Sequence, residues 1–471
     1  MLEKLFIKLG YNRNNGLFVL SESKEAIIET FPSRISRVLT KVIKPYAVFS
    51  LDAYHNTEGH VQPFNNPLIL FYENPSEEDY QLIPKHSFNL SRSPIVIVAK
   101  DNAIEIFNGF DFASSNRDWL KSINVDHDLL NISNLRSGKG WKEIHQEFFV
   151  RTKTVDRYLL SNITDARRIL IARESNFKSG NLPPEVANRL IGRILFIRYL
   201  IDRNVRFTDQ DLLIGNDKEE RQEALNMLLL DHAKTYEFFE YINQKFEGDL
   251  FPLYYENEGL EFYEKDAVLK ENLEVLYYLL TSSNMFKGDT IKGYTVQQSL
   301  FNVYDFEIIP VELISNIYES FLGNTAFAKG EIVTKLSKQK EVKAFYTPPF
   351  LVDYMLSQTV KPHLKTSNGT DCKVLDPSCG SGIFLVESLR QIIDNEIRLQ
   401  SNGRKDNNEL ISNERLWELL ENNIYGIDID PNAIEITIFS LYITLLDYKT
   451  HPREIENFAF KPLKGVDLFG G

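Results

Sequence analysis

Two stretches near the end of the chain decide the fold: KVLDPSCGSGIFLVESLRQII (373–393) and IYGIDIDPNAIEITIFSLYITLL (424–446). Each begins with a short apolar run of strand length, turns at Gly or Pro, and continues with apolar residues at helical spacing. Strands that alternate with helices predict a parallel sheet, because parallel neighbours need a crossing connection between them. The sequence therefore predicts a Rossmann-like, doubly wound α/β domain in this part of the chain.

Acidic residues stand where the two predicted strands end. Asp376 precedes Pro-Ser-Cys-Gly-Ser-Gly, and Asp428 lies in Gly-Ile-Asp-Ile-Asp-Pro. Glycines let a backbone approach a ligand closely, and an acid at the carboxyl end of such a strand is placed to bind the hydroxyl groups of a nucleoside. The first stretch is neither a G-x-G-x-x-G fingerprint nor a phosphate loop, since no GK[ST] follows the glycines.

Three motifs in order resemble a known family. With Phe-Tyr-Thr-Pro-Pro at 345–349 upstream, the two acidic turns resemble the S-adenosylmethionine-binding half of DNA adenine-N6 methyltransferases. Further upstream, RLIGRILFIRYLIDRNV (189–205) and YDFEIIPVELISNIYESFL (304–322) resemble the helical region of single-chain type IIG restriction–modification enzymes and of related phage-defence methyltransferases. The resemblance covers roughly 140–471.

The resemblance implies a role for each residue that matches a motif. Thr347 would contact the methionine carboxylate of S-adenosylmethionine, Asp428 would bind the ribose hydroxyls, and Ile429 would lie against the adenine ring. Asp467 would accept a hydrogen bond from the adenine amino group. The full set of cofactor-binding residues that the resemblance implies is Thr347, Asp376, Cys379, Gly380, Gly382, Asp428, Ile429, Asp467 and Leu468.

The family's catalytic loop has no match in this sequence. That loop reads Asn/Asp-Pro-Pro-aromatic and holds the amino group of a flipped adenine in double-stranded DNA. Pro183-Pro184 and Pro348-Pro349 are the two Pro-Pro pairs here, and neither fits. We therefore expect no catalytic residue for methyl transfer in this chain, which would be either truncated or half of a split enzyme. Its partner would be the remainder of the methyltransferase, because about three strands would leave one edge of the sheet unpaired.

The middle of the chain, 131–330, has helical periodicity and predicts a connector domain. Leu190, Ile194 and Ile201 belong to one apolar stripe of 186–205, whereas Arg189 and Arg193 lie outside it. Residues 151–206 hold twelve Lys and Arg against five Asp and Glu in a chain of net charge −13. These arginines are either a solvated helix face paired with nearby acids or part of a groove that binds DNA phosphates.

The first 130 residues predict a separate α/β domain. A helix is expected over 26–43, followed by strand-like runs at 46–52, 67–74 and 94–109. Asp52 and Glu73 end two of these runs, as the Mg²⁺-binding acids of a PD-(D/E)xK nuclease would, but Pro75 stands where that signature needs Lys. The alternatives are a degenerate nuclease fold used for docking and an unrelated α/β domain.

Composition excludes several classes of protein. With 43% hydrophobic and 25% charged residues the chain is of ordinary globular type, and its two cysteines suit a reducing compartment. It has no signal-peptide-like start and no apolar run long enough to span a membrane, so a cytoplasmic protein is expected. The resulting hypothesis is the cofactor-binding part of a site-specific DNA adenine methyltransferase over 331–471. Its rivals are a non-catalytic S-adenosylmethionine and DNA sensor that gates a partner, and a Mg²⁺-dependent nuclease.

Overall fold

In the computed structural model, residues 1–31, 33–51, 66–101, 103–110, 127–140, 154–171, 182–207, 215–246, 250, 252–257, 259–284, 297–298, 304–309, 347, 349–367, 369–400, 411–449 and 451–470 are described. They form a mixed α/β structure, as the sequence predicts. A mixed sheet lies at the start of the chain, helices occupy the middle, and a parallel sheet lies near the end.

The first region is built around a five-stranded sheet whose strands follow the order β1-β2-β3-β4-β5, with only β3 and β4 parallel. The α4 helix connects these two strands, and apolar clusters fill both faces of the sheet. Its elements are α1 (Leu2–Leu9), β1 (Leu17–Val19), α2 (Lys24–Thr30), α3 (Ser33–Arg37), β2 (Ala47–Phe49), β3 (Ile69–Glu73), α4 (Glu77–Leu90), β4 (Ile95–Lys100), β5 (Ala103–Asn108) and, packed on the same cluster, α5 (Ile132–Ser137).

Two local predictions for this region are corrected by the structure. The helix expected over 26–43 is interrupted, since α2 ends at Thr30 and α3 begins at Ser33, on either side of a proline that cannot continue a helix. A π-helical turn then spans Val38–Ile43. The run at 94–109 forms two antiparallel strands rather than one, because the chain reverses at Asp101, whose φ is 51°.

The middle region is helical, as predicted, with two small hairpins. Its central helix, α7, is buried on every side from Val186 to Asp202, so the predicted apolar stripe is only part of a helix that lies wholly inside the protein. The elements are α6 (Val155–Ile171), α7 (Pro184–Asp202), α8 (Lys218–Leu228), α9 (His232–Phe246), β6 (Tyr254–Asn257), β7 (Leu260–Tyr263), α10 (Glu264–Ala267), α11 (Lys270–Thr281), β8 (Ser282–Asn284) and β9 (Gln297–Gln298).

The last region contains the parallel sheet that the sequence predicts. Its strands lie in the order β10-β11-β12, and both pairings are parallel. The elements are α12 (Pro349–Gln358), α13 (Val360–Ser367), β10 (Val374–Asp376), α14 (Ile383–Gln400), α15 (Asn413–Asn423), β11 (Ile424–Asp428), α16 (Pro431–Asp447), α17 (Pro452–Glu456) and β12 (Leu468–Gly470).

One face of this sheet is covered and the other is bare. Leu468 and Ile424 are fully buried on the face against α14 and α16, whereas Leu375, Ile427 and Phe469 on the opposite face are 60%, 43% and 47% exposed. Within the described residues, β10 pairs with β11 alone. Parallel sheets are normally covered on both faces, so this sheet presents an apolar surface that is unusual for a complete domain.

A single apolar cluster runs through the middle and last regions, from Val155 to Leu468, and includes Phe88 of α4 in the first region. The helical region and the parallel sheet therefore share one core. No helix among the described residues is both long enough and apolar enough to cross a membrane. The division of the chain at residues 130 and 330 stays a prediction.

Candidate cofactor site

The site is built first on the turn that follows β10. The Cys379 amide donates to the Ile427 carbonyl (3.0 Å), and the Gly380 amide donates to Asp428 Oδ2 (2.8 Å), so the turn is fastened to the end of the neighbouring strand. Gly380 and Gly382 have φ values of 53° and 78°, in the left-handed region that favours glycine. A Cβ atom on Gly382 would also lie 2.8 Å from Thr437 Cγ2. The turn therefore needs glycine at position 382 for both its backbone conformation and its packing.

Two acids stand at adjacent strand ends beside this turn. Asp376 ends β10 and Asp428 ends β11, at the carboxyl edge of the parallel sheet. Asp376 Oδ1 accepts from the Ser378 amide (3.0 Å), and Asp428 Oδ1 accepts from the Asp430 amide (2.9 Å). Burial and the charge of Asp428 raise the pKa of Asp376. Each carboxylate has about four lone-pair sites, so both can still accept from hydroxyl or ammonium groups of a ligand.

Asp467 is a third acid of this region, but it stands just before β12, beside Tyr425 near the start of β11, and not at the carboxyl edge. Its carbonyl accepts from the Gly426 amide (3.0 Å), which ties it to β11. The residue is 5% exposed, and its Oδ2 atom has no hydrogen-bond partner. Burial, helped by Glu421, raises the pKa of Asp467 to about 6. A buried acceptor without a donor is costly, so this atom fits a site where a ligand supplies the donor.

Thr437, which sequence reasoning missed, supports the turn from α16. Its hydroxyl donates to the Gly380 carbonyl (2.9 Å) and lies 3.8 Å from Cys379 Sγ. Burial raises the pKa of the Cys379 thiol to about 11, so this cysteine is a neutral packing group. A threonine among the apolar residues of a helix that follows an acidic strand end was the available sequence signal.

The remaining predicted residues lie around this edge. Ile429 is 88% exposed next to Asp428 and offers an apolar surface, while Leu468 is buried in β12. Thr347 is half-buried and precedes α12 by two residues. Phe345 and Tyr346 lie outside the described residues. The structure thus brings together the residues of the glycine turn and of the end of β11. The roles of Thr347, Asp467 and Leu468 stay predictions.

An open cavity of about 550 Å³ lies beside Asp376, between β10 and the helices α12, α13 and α14. Met355 and Val360 line it from α12 and α13, Leu375 from the strand and Phe384 from α14. This cavity continues the bare sheet face onto the edge of β10 that has no partner strand among the described residues.

The arginines predicted to contact DNA are buried instead. Arg193 is 2% exposed and donates to both carboxylate oxygens of Glu264, at 2.6 and 3.2 Å, with its guanidinium over the ring of Phe239. Arg189 donates to the Tyr254 carbonyl (3.0 Å) and pairs with Glu185 and Glu435. Side chains held in this way cannot reach a phosphate backbone, so the prediction that they bind DNA is corrected, as is the prediction of a solvated helix face.

The predicted Mg²⁺ ligands are not assembled in the described part of the chain. Glu73 Oε1 accepts from the Met1 ammonium group (2.6 Å) and from the Leu2 amide (3.1 Å), and Lys100 pairs with Glu77 rather than with Glu73. Asp52 lies outside the described residues. Among the described residues, no group of three or more His, Cys, Asp or Glu could hold a metal ion. The engagement of Glu73 as an anchor for α1 argues against its role as a metal ligand.

Three parallel strands, a glycine turn after the first of them and acids at the carboxyl ends of the first two are typical of nucleotide-cofactor-binding α/β domains. Residues 363–464 match the family model described as "MmeI, DNA-methyltransferase domain". The chain is similar to the methyltransferases of type II restriction–modification systems.

Relatives with assigned functions are similar over part of their length. The type II restriction enzyme and methyltransferase RM.Eco57I of Escherichia coli is 26% identical over 327 residues, which cover 66% of this chain and 29% of that protein. The adenine-specific methyltransferase PglX of Streptomyces coelicolor is 26% identical over 119 residues, which cover 25% of this chain and 9% of that protein. The chain thus spans less than a third of the length of either relative.

A solved structure, that of a DrdV–DNA complex determined by cryo-electron microscopy, is 12% identical in sequence. The match covers 88% of this chain and 33% of that chain, with a TM-score of 0.29.

Proposed function

We propose that this chain is the S-adenosylmethionine-binding part of an adenine-specific DNA methyltransferase of a restriction–modification or phage-defence system. The observation that carries the proposal is the pair of carboxylates, Asp376 and Asp428, at adjacent strand ends beside the glycine turn, where the Gly380 amide donates to Asp428 Oδ2. Asp467, whose Oδ2 is buried and unpartnered, keeps from the resemblance its proposed role as acceptor for the exocyclic amino group of an adenosine. The similarity to RM.Eco57I and to PglX supports the choice of reaction and of adenine as the target base.

Each residue of the site has a distinct role in this proposal. Asp428 accepts from ribose hydroxyls, and the exposed Ile429 covers one face of the adenine ring. The turn at Gly380 and Gly382 lets the backbone approach the methionine part of the ligand, where Asp376 accepts from its ammonium group. When bound, S-adenosylmethionine supplies an electrophilic methyl group. The neutral Cys379 packs below the turn and takes no part in the chemistry.

Methyl transfer also needs a group that grips the amino nitrogen of the target adenine, and we propose that this group lies outside the 471 residues. The bare face of the parallel sheet and the unpaired edge of β10 support such a partner, because a further strand and helix would cover them. Double-stranded DNA is the proposed substrate of the assembled enzyme. A non-catalytic sensor would have the same cofactor site, so a binding measurement cannot distinguish it from a methyltransferase. A methyl-transfer assay can.

Isothermal titration calorimetry with S-adenosylmethionine tests the proposal. The parent chain should bind, and Asp428→Ala should weaken binding roughly tenfold to a hundredfold, since the hydroxyl donors of the ribose lose a charged acceptor worth about 1.5–3 kcal/mol. Asp371→Asn is the matched control: this exposed acid stands at the opposite end of the same β10 segment, and its replacement should leave affinity unchanged. Equal affinity in the parent, Asp376→Ala and Asp428→Ala, each checked for folding by circular dichroism, would refute the site.

A further inference from the structure

Asp447, the last residue of α16, is the point where three parts of the chain meet. It is 5% exposed, and groups from α3, α7 and α14 surround its carboxylate. Arg34 Nη1 donates to both oxygens, at 2.6 and 2.8 Å, and Arg390 Nη2 donates to Oδ2 at 2.9 Å. The Tyr199 hydroxyl donates to Oδ1 at 2.9 Å, and Arg203 Nη1 lies 3.4 Å from the same atom. Arg34 and Asp447 are 413 positions apart in the sequence.

The charge of this carboxylate is fixed by its surroundings. Burial alone would raise the pKa of Asp447, but the fields of Arg34, Arg390 and Arg203 lower that pKa far below its ordinary range. A buried carboxylate that is paired in this way stays ionised, and removal of one partner leaves buried charge without compensation.

Arg34 makes a second set of contacts with the other side of its guanidinium group. Its Nη2 atom donates to the carbonyl of Phe306 (3.0 Å) and to that of Ile309. The same short segment is held from α7, where Asp202 Oδ2 accepts from the Phe306 amide (2.8 Å). Arg34 therefore joins the N-terminal region to the helical region and to the parallel-sheet region at once.

The helix that carries Asp447 leads from this cluster to the cofactor site. The seventeen residues of α16 span about 25 Å. At its start, Asp428 and the Asp430 amide fix the end of β11, and about two turns later Thr437 holds the Gly380 carbonyl. A rigid element thus has the glycine turn near one end and the cluster around Asp447 at the other.

We propose that the cluster of Asp447, Arg34, Arg203 and Arg390 is a clasp that makes the N-terminal sheet and the parallel sheet open as one cooperative unit. A ligand that stabilises the glycine turn then also stabilises the N-terminal sheet through α16. The effect of the ligand rests on the proposed cofactor function, whereas the cooperative opening of the two sheets is expected of the chain without ligand. A further contact between the regions, from the Asp305 amide to Asn89 Oδ1 (2.9 Å), lies outside the clasp and keeps the regions in contact when Arg34 is changed.

Hydrogen–deuterium exchange of the full chain tests the clasp. In the parent, the buried amides of β3, β4 and β11 should have protection factors that agree within about threefold, as expected of one cooperative opening. In Arg34→Met the amides of β3 and β4 should exchange at least tenfold faster than those of β11. The matched control is Arg13→Met, which removes an exposed ion pair with Glu22 in the same N-terminal region and should preserve the parental pattern.

Saturating S-adenosylmethionine provides the second arm of the experiment. It should slow exchange in both sheets of the parent but only in β11 and its neighbours in Arg34→Met. Unequal protection in the ligand-free parent, or an equal loss in both sheets of Arg34→Met, would overturn the clasp. If the ligand has no effect on exchange, the cofactor proposal is refuted. The comparison of the parent with Arg34→Met without ligand then still decides whether the clasp exists. If Arg34→Met does not fold, Arg34→Lys retains the charge but cannot reach Asp447 and the 306–309 carbonyls together, and it should shift the pattern in the same direction.

Discussion

At the scale of single residues, Asp467 combines a cost to stability with a use in binding. Its carboxylate is buried without a donor for Oδ2, and its pKa is raised to about 6. The folded chain therefore holds this proton more tightly than the unfolded chain. The stabilising effect of that protonation is present at acidic pH and is lost as the pH rises from about 4 through about 6.

Asp467→Asn should consequently stabilise the ligand-free chain at pH 7, by about 1 kcal/mol, because a neutral amide is easier to bury than an unpaired carboxylate. The same change should weaken S-adenosylmethionine binding about tenfold at pH 7. In the parent, affinity should fall as the pH drops below about 6, and in Asp467→Asn this pH dependence should be lost. Urea unfolding and calorimetry between pH 5 and 8 measure both effects. A variant that is less stable than the parent and binds equally well would show that Oδ2 has a partner within the chain.

At the scale of elements, the turn between β10 and α14 could be predicted because its determinants are local. Asp376, Gly380 and Gly382 lie within a few positions of one another, and the parallel order of β10, β11 and β12 follows from the connections between them. The burial of the α7 helix could not be predicted in the same way. Arg189 has a local partner in Glu185. The acids Glu264 and Glu435, however, lie 71 and 246 positions from Arg193 and Arg189, so the burial of these arginines depends on contacts that are distant in the sequence.

The burial of α7 makes a definite prediction for Arg193. Arg193→Met should lower the free energy of unfolding by about 3–5 kcal/mol, because Glu264 would keep a buried charge with only the Tyr236 hydroxyl as a polar partner (2.9 Å). Arg168→Met is the matched control: this arginine, 69% exposed and paired with Asp165, should change stability by less than about 0.5 kcal/mol. Urea denaturation provides the measurement. If Arg193→Met keeps parental stability but lowers the salt dependence of duplex binding, Arg193 contacts phosphates after all.

At the scale of the whole molecule, cofactor binding and methyl transfer are separable functions. In the proposed function, Asp376 and Asp428 supply acceptors for a nucleoside, whereas no Asn/Asp-Pro-Pro-aromatic sequence is present to hold the target amine. Without that grip the nitrogen keeps its lone pair delocalised in the ring, and the loss of orientation and of electrostatic stabilisation costs several kcal/mol of barrier. We therefore expect the 471-residue chain to bind S-adenosylmethionine and not to methylate DNA.

The transfer of radiolabelled methyl groups to mixed-sequence duplex DNA measures whether the chain alone methylates DNA. The chain alone should give no incorporation above that of Asp428→Ala, and addition of the polypeptide that completes the sheet should restore it. Incorporation by the chain alone, in proportion to its concentration, would show that residues within it grip the adenine. Failure of every completed assembly to transfer methyl, with binding intact, would favour the sensor.

The cluster around Asp447 also limits how such chains exchange parts during evolution. An N-terminal α/β region transplanted from a relative brings its own side chain to position 34, yet the carboxylate that neutralises it belongs to a helix hundreds of positions later. A chimera joined between the two regions inherits either an arginine without its aspartate or an aspartate short of one arginine. We therefore expect chimeras joined at that boundary to be most stable when both parents carry the same charge pattern at 34, 203, 390 and 447.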